Sequence, residues 1–114
     1  MLAEKLFIGE RLDFQHYKGL AVTDYEVEVL DIDGDPYSFA NFLTVHFELF
    51  AKPHGLSLST TDLDVPADNI INLNIPSSVF DIRATIYYYE CYGYTDASPS
   101  EKVIFHYGYQ DLTP

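Results

Sequence analysis

The sequence predicts an all-β protein: an immunoglobulin-like, antiparallel β-sandwich of about seven to eight strands with no long helix. Apolar and polar residues alternate with a period of two along most of the chain, and turn-forming residues separate the alternating segments. The composition, with 10 Tyr and 8 Phe, also favours strands. The chain has 114 residues, the usual size of one domain. We therefore expect residues 1–114 to form a single sandwich.

In the first half of the chain, two alternating segments flank a turn. DYEVEVL (residues 24–30) places apolar residues on one side and acidic residues on the other, which predicts a half-buried strand. In DIDGDP (residues 31–36), Asp33 and Gly34 predict the centre of a type I′ hairpin turn, with Gly34 at positive φ. The next strand is predicted over residues 42–50, with an apolar face formed by Leu43, Val45, Phe47 and Leu49.

The second half of the chain continues with short strands and breaks. TTDLDVPADN (residues 60–69) contains Pro66 and is predicted to be a loop or an edge segment. IINLNI (residues 70–75) predicts a strand, and residues 77–80 predict one helical or 3₁₀ turn.

Two tyrosine-rich strands close the chain. In DIRATIYYYECYGY (residues 81–94), the alternation assigns a core face to Ile82, Ala84, Ile86 and Tyr88. Tyr87, Tyr89 and Cys91 are then expected on the outer face. In KVIFHYGYQD (residues 102–111), the same alternation places Val103, Phe105, Tyr107 and Tyr109 on one face.

The charge of the chain restricts its partners. With 18 acidic and 6 basic residues, the formal net charge is −12, which disfavours binding to nucleic acid or to anionic lipid. A basic protein or a cation would suit this charge, although solubility through self-repulsion also explains it. A single cysteine excludes an internal disulfide. No signal peptide and no apolar stretch of about 20 residues is visible, so we expect synthesis in the cytoplasm and no membrane partner.

The acidic turn is the main candidate metal site in the sequence, and Asp62, Asp64 and Asp68 form a second acidic cluster with no better pattern. Asp31, Asp33 and Asp35 alternate and are weak candidates for calcium ligands. An EF-hand loop is excluded, because its required Gly and Glu positions hold Pro36 and Phe42. An Asp-Gly turn in a solvated loop explains the same pattern. The dispersed histidines lack the spacing of a zinc motif, and His46 and His106 are expected to be partly exposed. The sequence therefore predicts no cofactor.

No pattern in the chain indicates catalysis. It contains no nucleophile elbow, no phosphate-binding glycine loop and no recognisable pair of acid/base carboxylates. Cys91 lies in the middle of a predicted strand, where a cysteine usually packs as a small hydrophobic residue. We therefore expect a protein that is not an enzyme.

The tyrosines are the candidate binding residues. Tyr87, Tyr89, Tyr107 and Tyr109 are predicted to form a protein-binding surface, because tyrosine is enriched at interfaces. Pairing across strands within the sheet and stacking on a sugar are the alternative explanations.

Four short segments carry a resemblance to a known family. They are an acidic-Gly-Pro turn at residues 33–36, a bend at residues 39–42, a Y-x-Y-E-like strand at residues 87–90 and an F-x-x-G-like strand at residues 105–108. Their order, over residues 9–112, resembles a small β-sandwich of bacteriophage virions, and in particular the N-terminal domain of phage baseplate upper proteins. The family's motifs are structural, so the resemblance implies no functional residues.

The resemblance implies a non-enzymatic structural protein that binds other virion proteins in many copies. Baseplate domains of this kind continue into a fibre, whereas this chain stops, so a separate tail, connector or capsid-associated role is expected. The protein would be made in the cytoplasm of the host bacterium and reside in the virion. The alternatives are a carbohydrate-binding or adhesin-like module and a calcium-stabilised surface module.

Overall fold

The computed structural model describes residues 2–64, 69–96 and 98–114. Within them the chain forms β-strands and one 3₁₀ turn but no α-helix, which confirms the predicted all-β class. None of the described segments is a helix that could cross a membrane. The strands are β1 (Leu2–Phe7), β2 (Glu10–Arg11), β3 (Phe14–Tyr17), β4 (Val22–Leu30), β5 (Phe42–Phe50), β6 (Ser57–Leu63), β7 (Ile70–Ile75), β8 (Ile86–Thr95) and β9 (Lys102–Thr113), and the 3₁₀ turn is Ser77–Phe80. The predicted loop around Pro66 lies partly outside the described residues.

The strands form two sheets that pack as a sandwich. The smaller sheet has the order β1-β4-β7, and the larger has the order β2-β9-β8-β5-β6, with β3 also beside β9. The central strands pair antiparallel, as predicted. β1 pairs parallel with β4, and β2 and β3 pair parallel with β9. Both sheets are therefore mixed, a feature that the alternation pattern does not encode.

The parallel pairs all come from the N-terminal segment, residues 2–17, which we call the strap. The strap first borders the smaller sheet as β1 and then crosses to the larger sheet at Gly9. Gly9 has φ of +78°, a left-handed conformation that glycine adopts without strain. Its N–H donates to the carbonyl oxygen of Phe105 at 2.8 Å. One segment thus joins the edges of both sheets.

The structure also contains the tyrosine corner of immunoglobulin-type sandwiches. Tyr87 lies near the start of β8, and its hydroxyl donates to the carbonyl oxygen of Arg83 at 2.9 Å. β4 and β7 lie in one sheet, and β5, β8 and β9 lie in the other, as expected for this architecture. The chain has no cysteine pair and no tryptophan, so this corner is the immunoglobulin-type hallmark that it retains.

The core between the sheets follows the predicted alternation in β7 and in the part of β4 after the register shift between Val22 and Tyr25. Val27 and Val29 of β4 are fully buried, as are the inward residues Ile71, Leu73 and Ile75 of β7. In β5, Val45, Phe47 and Leu49 are buried as predicted, but Leu43 is 61% exposed. The pairing register shifts between Phe42 and Thr44, and Phe42 takes the core position in place of Leu43.

The acidic turn differs from the predicted type. Gly34 has φ of +87°, as expected, but Asp33 is not at positive φ, so this is not a type I′ turn. The N–H of Gly34 donates to the carbonyl oxygen of Asp31 at 3.0 Å, and Asp31 N–H donates to the Asp35 carbonyl oxygen at 2.8 Å. This is a three-residue loop that ends in a left-handed glycine.

Candidate protein-binding face

The two faces of β8 are the reverse of those predicted. Tyr87 is 9% exposed and Tyr89 is fully buried, so both belong to the core. Tyr88 is half-buried on the outer face, and Ile86 is 56% exposed. The prediction extended the alternation backward to Ile82, but β8 begins at Ile86. The backbone bends within residues 81–85 interrupt the alternation, so an alternation extended through them assigns the faces of β8 wrongly.

The inner tyrosines have hydrogen-bond partners for their hydroxyls, which buried tyrosines require. The Tyr89 hydroxyl donates to the carbonyl oxygen of Leu12 in the strap at 2.5 Å, and it lies 3.1 Å from Nδ1 of His106. Its ring stacks on Phe47 with centroids 5.2 Å apart. Tyr89 therefore connects the centre of the larger sheet to the strap.

His106 is another correction, because it is fully buried and not partly exposed. Burial lowers its pKa to about 3, so the ring is neutral at pH 7. Tyr89 donates its single proton to Leu12, so Nδ1 of His106 carries the ring proton and donates to the Tyr89 oxygen. Nε2 is then the acceptor nitrogen of the ring, and no donor reaches it among the described residues.

A bulge in β9 explains how Tyr107 and Tyr109 reach the outer face. Cys91 is paired with His106, whereas the next residue, Tyr92, is paired with Ile104. One extra residue in β9 therefore changes the phase of the alternation. Phe105 points inward and Tyr107 and Tyr109 point outward, so the prediction that these residues share one face is wrong.

The outer face of the larger sheet is covered with aromatic rings. We call this surface the tyrosine face; it comprises His46, Phe50, Tyr88, Tyr92, Tyr94, Tyr107 and Tyr109. One row crosses three strands, since the ring of Tyr88 lies 5.8 Å from that of Tyr109 and 5.9 Å from that of Phe50. A second row contains Tyr92, whose ring lies 5.3 Å from that of His46. The hydroxyls of Tyr94, Tyr107 and Tyr109 have no hydrogen-bond partner within the described segments.

Two carboxylates lie between the aromatic rows. Glu48 of β5 and Glu90 of β8 are directly opposite each other. Glu90 accepts hydrogen bonds from the Tyr88 hydroxyl at 3.1 Å and from Lys102 Nζ at 2.9 Å. Glu48 accepts from the Tyr92 hydroxyl at 2.8 Å and from the Ser57 hydroxyl. Burial, together with Glu90, raises the pKa of Tyr88 to about 12.

An open groove of about 570 Å³ borders the tyrosine face beside the strap. The Arg11 guanidinium lies 4.9 Å from the Tyr109 ring centroid and forms hydrogen bonds with both Asp13 carboxylate oxygens at 2.9 Å. This pairing lowers the pKa of Asp13. The floor of the groove is apolar at Phe14 and Ile86, and its polar rim includes Arg11, Asp13, Gln15 and Asp111.

The remaining candidate residues are those of the acidic turn and Cys91. Oδ1 of Asp31 accepts hydrogen bonds from the backbone N–H groups of Asp33 and Asp35 at 2.9 and 3.0 Å, so this carboxylate caps the turn. Within the described ranges, no three His, Cys, Asp or Glu side chains are grouped to hold a metal ion. Cys91 is fully buried, which raises the pKa of its thiol.

Of the predicted interface tyrosines, Tyr107 and Tyr109 lie together on the outer face, whereas Tyr87 and Tyr89 lie in the core. Sequence reasoning missed Tyr88, Tyr92 and Phe50. The run of consecutive tyrosines in β8 showed that both faces carry aromatic rings, but it did not show which face is outer.

No protein-family model matches the chain, and no curated protein matches it. The likeness to phage sandwiches is thus a prediction from the sequence.

Proposed function

We propose that the protein is a non-enzymatic structural component of a bacteriophage virion that binds other virion proteins through the tyrosine face. The protein would be made in the host cytoplasm and incorporated in many copies. The order of motifs in the sequence supports the virion assignment. The arrangement of the outer face supports binding to a protein.

The aromatic rings on the tyrosine face are the observation that carries the proposal. The sandwich fills its core with other aromatic residues, including Phe47, Phe105 and Tyr89, so the outer rings are not needed there. Rigid aromatic side chains with free polar atoms are enriched in protein interfaces. The hydroxyls of Tyr107 and Tyr109 have no internal partner in the described part of the chain, so they can bond to a bound protein.

The edges of the larger sheet offer a second mode of contact. β6 is an edge strand of this sheet and, among the strands that the structure describes, pairs only with β5. An unpaired strand edge can accept a strand of another chain. Contacts through the edge and the tyrosine face together would suit an assembly of many copies.

The test is incorporation into particles. Tyr107→Ala/Tyr109→Ala should fold with a near-normal Tm, because both residues lie on the outer face, and should incorporate poorly. The matched control is Phe7→Ala/Leu20→Ala, which removes side chains that are 49% and 54% exposed and lie off the tyrosine face. Mass spectrometry of purified particles measures incorporation. Normal incorporation of a folded tyrosine variant would contradict the proposal.

A carbohydrate-binding function is the second candidate, and the groove beside Tyr109 favours it. Asp13, Gln15 and Asp111 place carboxylate and amide groups around an apolar floor. Polar groups of this kind can bond sugar hydroxyls while a ring or an aliphatic side chain packs on the sugar. A glycan array distinguishes the two functions, since saturable binding of a defined glycan that Gln15→Ala abolishes would favour the second.

A further inference from the structure

Two basic side chains of the protein already occupy similar sites on the tyrosine face. Lys102 Nζ lies 4.2 Å from the centroid of the Tyr92 ring and 2.9 Å from Glu90. Arg11 lies over the Tyr109 ring and bonds Asp13. In each case an aromatic ring and a carboxylate hold one cation, a combination of cation–π attraction and ion pairing.

Glu48 has the same surroundings but no cation. It accepts hydrogen bonds from two neutral hydroxyls, those of Tyr92 and Ser57, and it forms no ion pair within the described residues. Each carboxylate oxygen can accept more than one hydrogen bond. The half-buried Glu48 carboxylate can therefore accept bonds from a bound cation without losing its present partners.

The aromatic rows flank Glu48 on both sides. His46 and Phe50 lie two residues before and after it in β5, about 7 Å away along the strand. Tyr92 and Tyr88 lie beside them in β8. A cation bonded to Glu48 would thus lie between the two rows and close to Tyr92, whose hydroxyl Glu48 already binds at 2.8 Å.

The charge of the protein favours a basic partner. The chain carries a net charge of −12, and the two basic groups found on the tyrosine face, Arg11 and Lys102, are each bound to a carboxylate. Glu48 also lies directly opposite Glu90, and like charges in this arrangement repel. A positive charge from outside would relieve this repulsion and would be attracted over a distance by the whole molecule.

We propose that Glu48, flanked by the aromatic rows, receives an arginine or lysine side chain of the bound protein. This inference rests on the proposed function and adds the chemistry that the partner must present. The basic side chain would bond the Glu48 carboxylate and pack against the neighbouring rings.

The experiment measures binding of small cationic probes by NMR. Nα-acetyl-arginine amide and Nα-acetyl-lysine amide are titrated into the labelled protein, with Nα-acetyl-citrulline amide as the neutral probe of the same shape. The cationic probes should shift the signals of Glu48 and of the ring protons of Tyr88 and Tyr92. The shifts should weaken between about 0.05 and 0.5 M salt, where screening becomes strong.

Two variants should change the affinity in opposite directions. Glu48→Gln should weaken the binding of the arginine probe about fivefold or more, because it removes the charge. Lys102→Met should strengthen this binding, because it leaves Glu90 without its cation. Each matched control removes a charge of the same sign elsewhere on the surface. Asp33→Asn matches Glu48→Gln and lies in an exposed turn, and Lys52→Met matches Lys102→Met and lies in an exposed loop. Both controls should bind the probes as the unaltered protein does.

The result that overturns the inference is equal binding of the probes by Glu48→Gln and Asp33→Asn, or equal binding of citrulline and arginine. If Glu48→Gln does not fold, the titration of the unaltered protein decides the matter, since cationic probes that leave the Glu48 signals unchanged would also overturn the inference. Loss of incorporation in the tyrosine variant with no effect of Glu48→Gln on probe binding would refute this inference and leave the proposed function intact. Probe binding at Glu48 with normal incorporation of the tyrosine variant would instead support the site and refute the virion interface.

Discussion

The inner and outer faces of β8 both carry tyrosines, but their hydroxyls bond to different groups. On the inner face, Tyr87 and Tyr89 donate to backbone carbonyl oxygens of residues outside the strand. On the outer face, Tyr88 and Tyr92 donate to the carboxylates of Glu90 and Glu48. A buried hydroxyl needs a fixed partner, whereas an outer hydroxyl can exchange its partner for water or for another molecule. The inner tyrosines therefore hold the fold together. On the outer face, Tyr92 is only 6% exposed, whereas the half-buried Tyr88 is available for binding.

The largest expected effect concerns the inner face. Tyr89→Ala should reduce the free energy of unfolding by about 3–5 kcal/mol, because it removes a fully buried ring and leaves a cavity. Tyr88→Ala, one residue away on the outer face, should cost about 1 kcal/mol or less. Urea denaturation of both variants measures the difference. Equal losses would show that the two faces do not differ as described.

A second effect concerns the contact between the inner face and the strap. Gly108 is paired with Tyr89, and a Cβ at this position would lie 2.2 Å from the carbonyl oxygen of Leu12. That oxygen also accepts the Tyr89 hydrogen bond. Gly108→Ala should therefore displace the strap and cost about 1–3 kcal/mol, the usual cost of overpacking.

Hydrogen exchange of the β3 amides reports on the strap directly. It should accelerate in Gly108→Ala more than exchange in β5 does. Gly108 is not at positive φ, so any effect of Gly108→Ala comes from the clash and not from backbone strain. Unchanged exchange in β3 would contradict the proposed close packing of the strap.

The third effect is a pH dependence of stability that comes from the inner face. Burial lowers the pKa of His106 from 6.5 to about 3 in the folded protein, so below pH 6.5 the unfolded chain binds a proton that the folded protein does not. The stabilisation is complete above pH 6.5 and is lost progressively as the pH falls towards 3. Between pH 6.5 and 5, His106 alone should reduce the free energy of unfolding by about 2 kcal/mol. Burial also lowers the pKa of His16, which acts in the same direction.

Chemical denaturation at several pH values between 5 and 7 measures this dependence. His106→Gln should flatten the curve, whereas substitution of the exposed His54 by Gln should not. An unchanged slope in His106→Gln would show that other groups cause the dependence.

The sequence allowed the strands with unbroken alternation to be predicted, but not those with irregularities. The inward residues Val27 and Val29 of β4 and those of β7 were predicted correctly, because the one register shift in the pairing of these strands, between Val22 and Tyr25, lies before them. The phases of β8 and β9 were not, because bends before Ile86 and the extra residue near Phe105 shift the alternation. The alternation over residues 11–17 indicated a strand there, but the parallel pairing of the strap was not predicted because it depends on contacts distant in sequence, such as Gly9 with Phe105. The same shifts explain why Tyr107 and Tyr109 lie on the outer face while Tyr87 and Tyr89 lie in the core.

The smallest expected effect concerns the outer face and sharpens the comparison with Tyr89. Tyr88→Phe removes only the hydroxyl that bonds Glu90, in a half-buried position where water can replace it, so the loss of stability should be about 0.5 kcal/mol or less. Tyr89→Phe removes the bonds to Leu12 and His106 in the dry core and should cost about 1–3 kcal/mol. The same hydroxyl of Tyr88 can be followed by ultraviolet titration, because burial and the charge of Glu90 raise its pKa to about 12. Glu90→Gln should lower that pKa, since it removes the negative charge that opposes ionisation, while the burial contribution persists. A Tyr88→Phe variant as unstable as Tyr89→Phe would mean that the outer hydroxyls also hold the fold together and are not free to bind a partner.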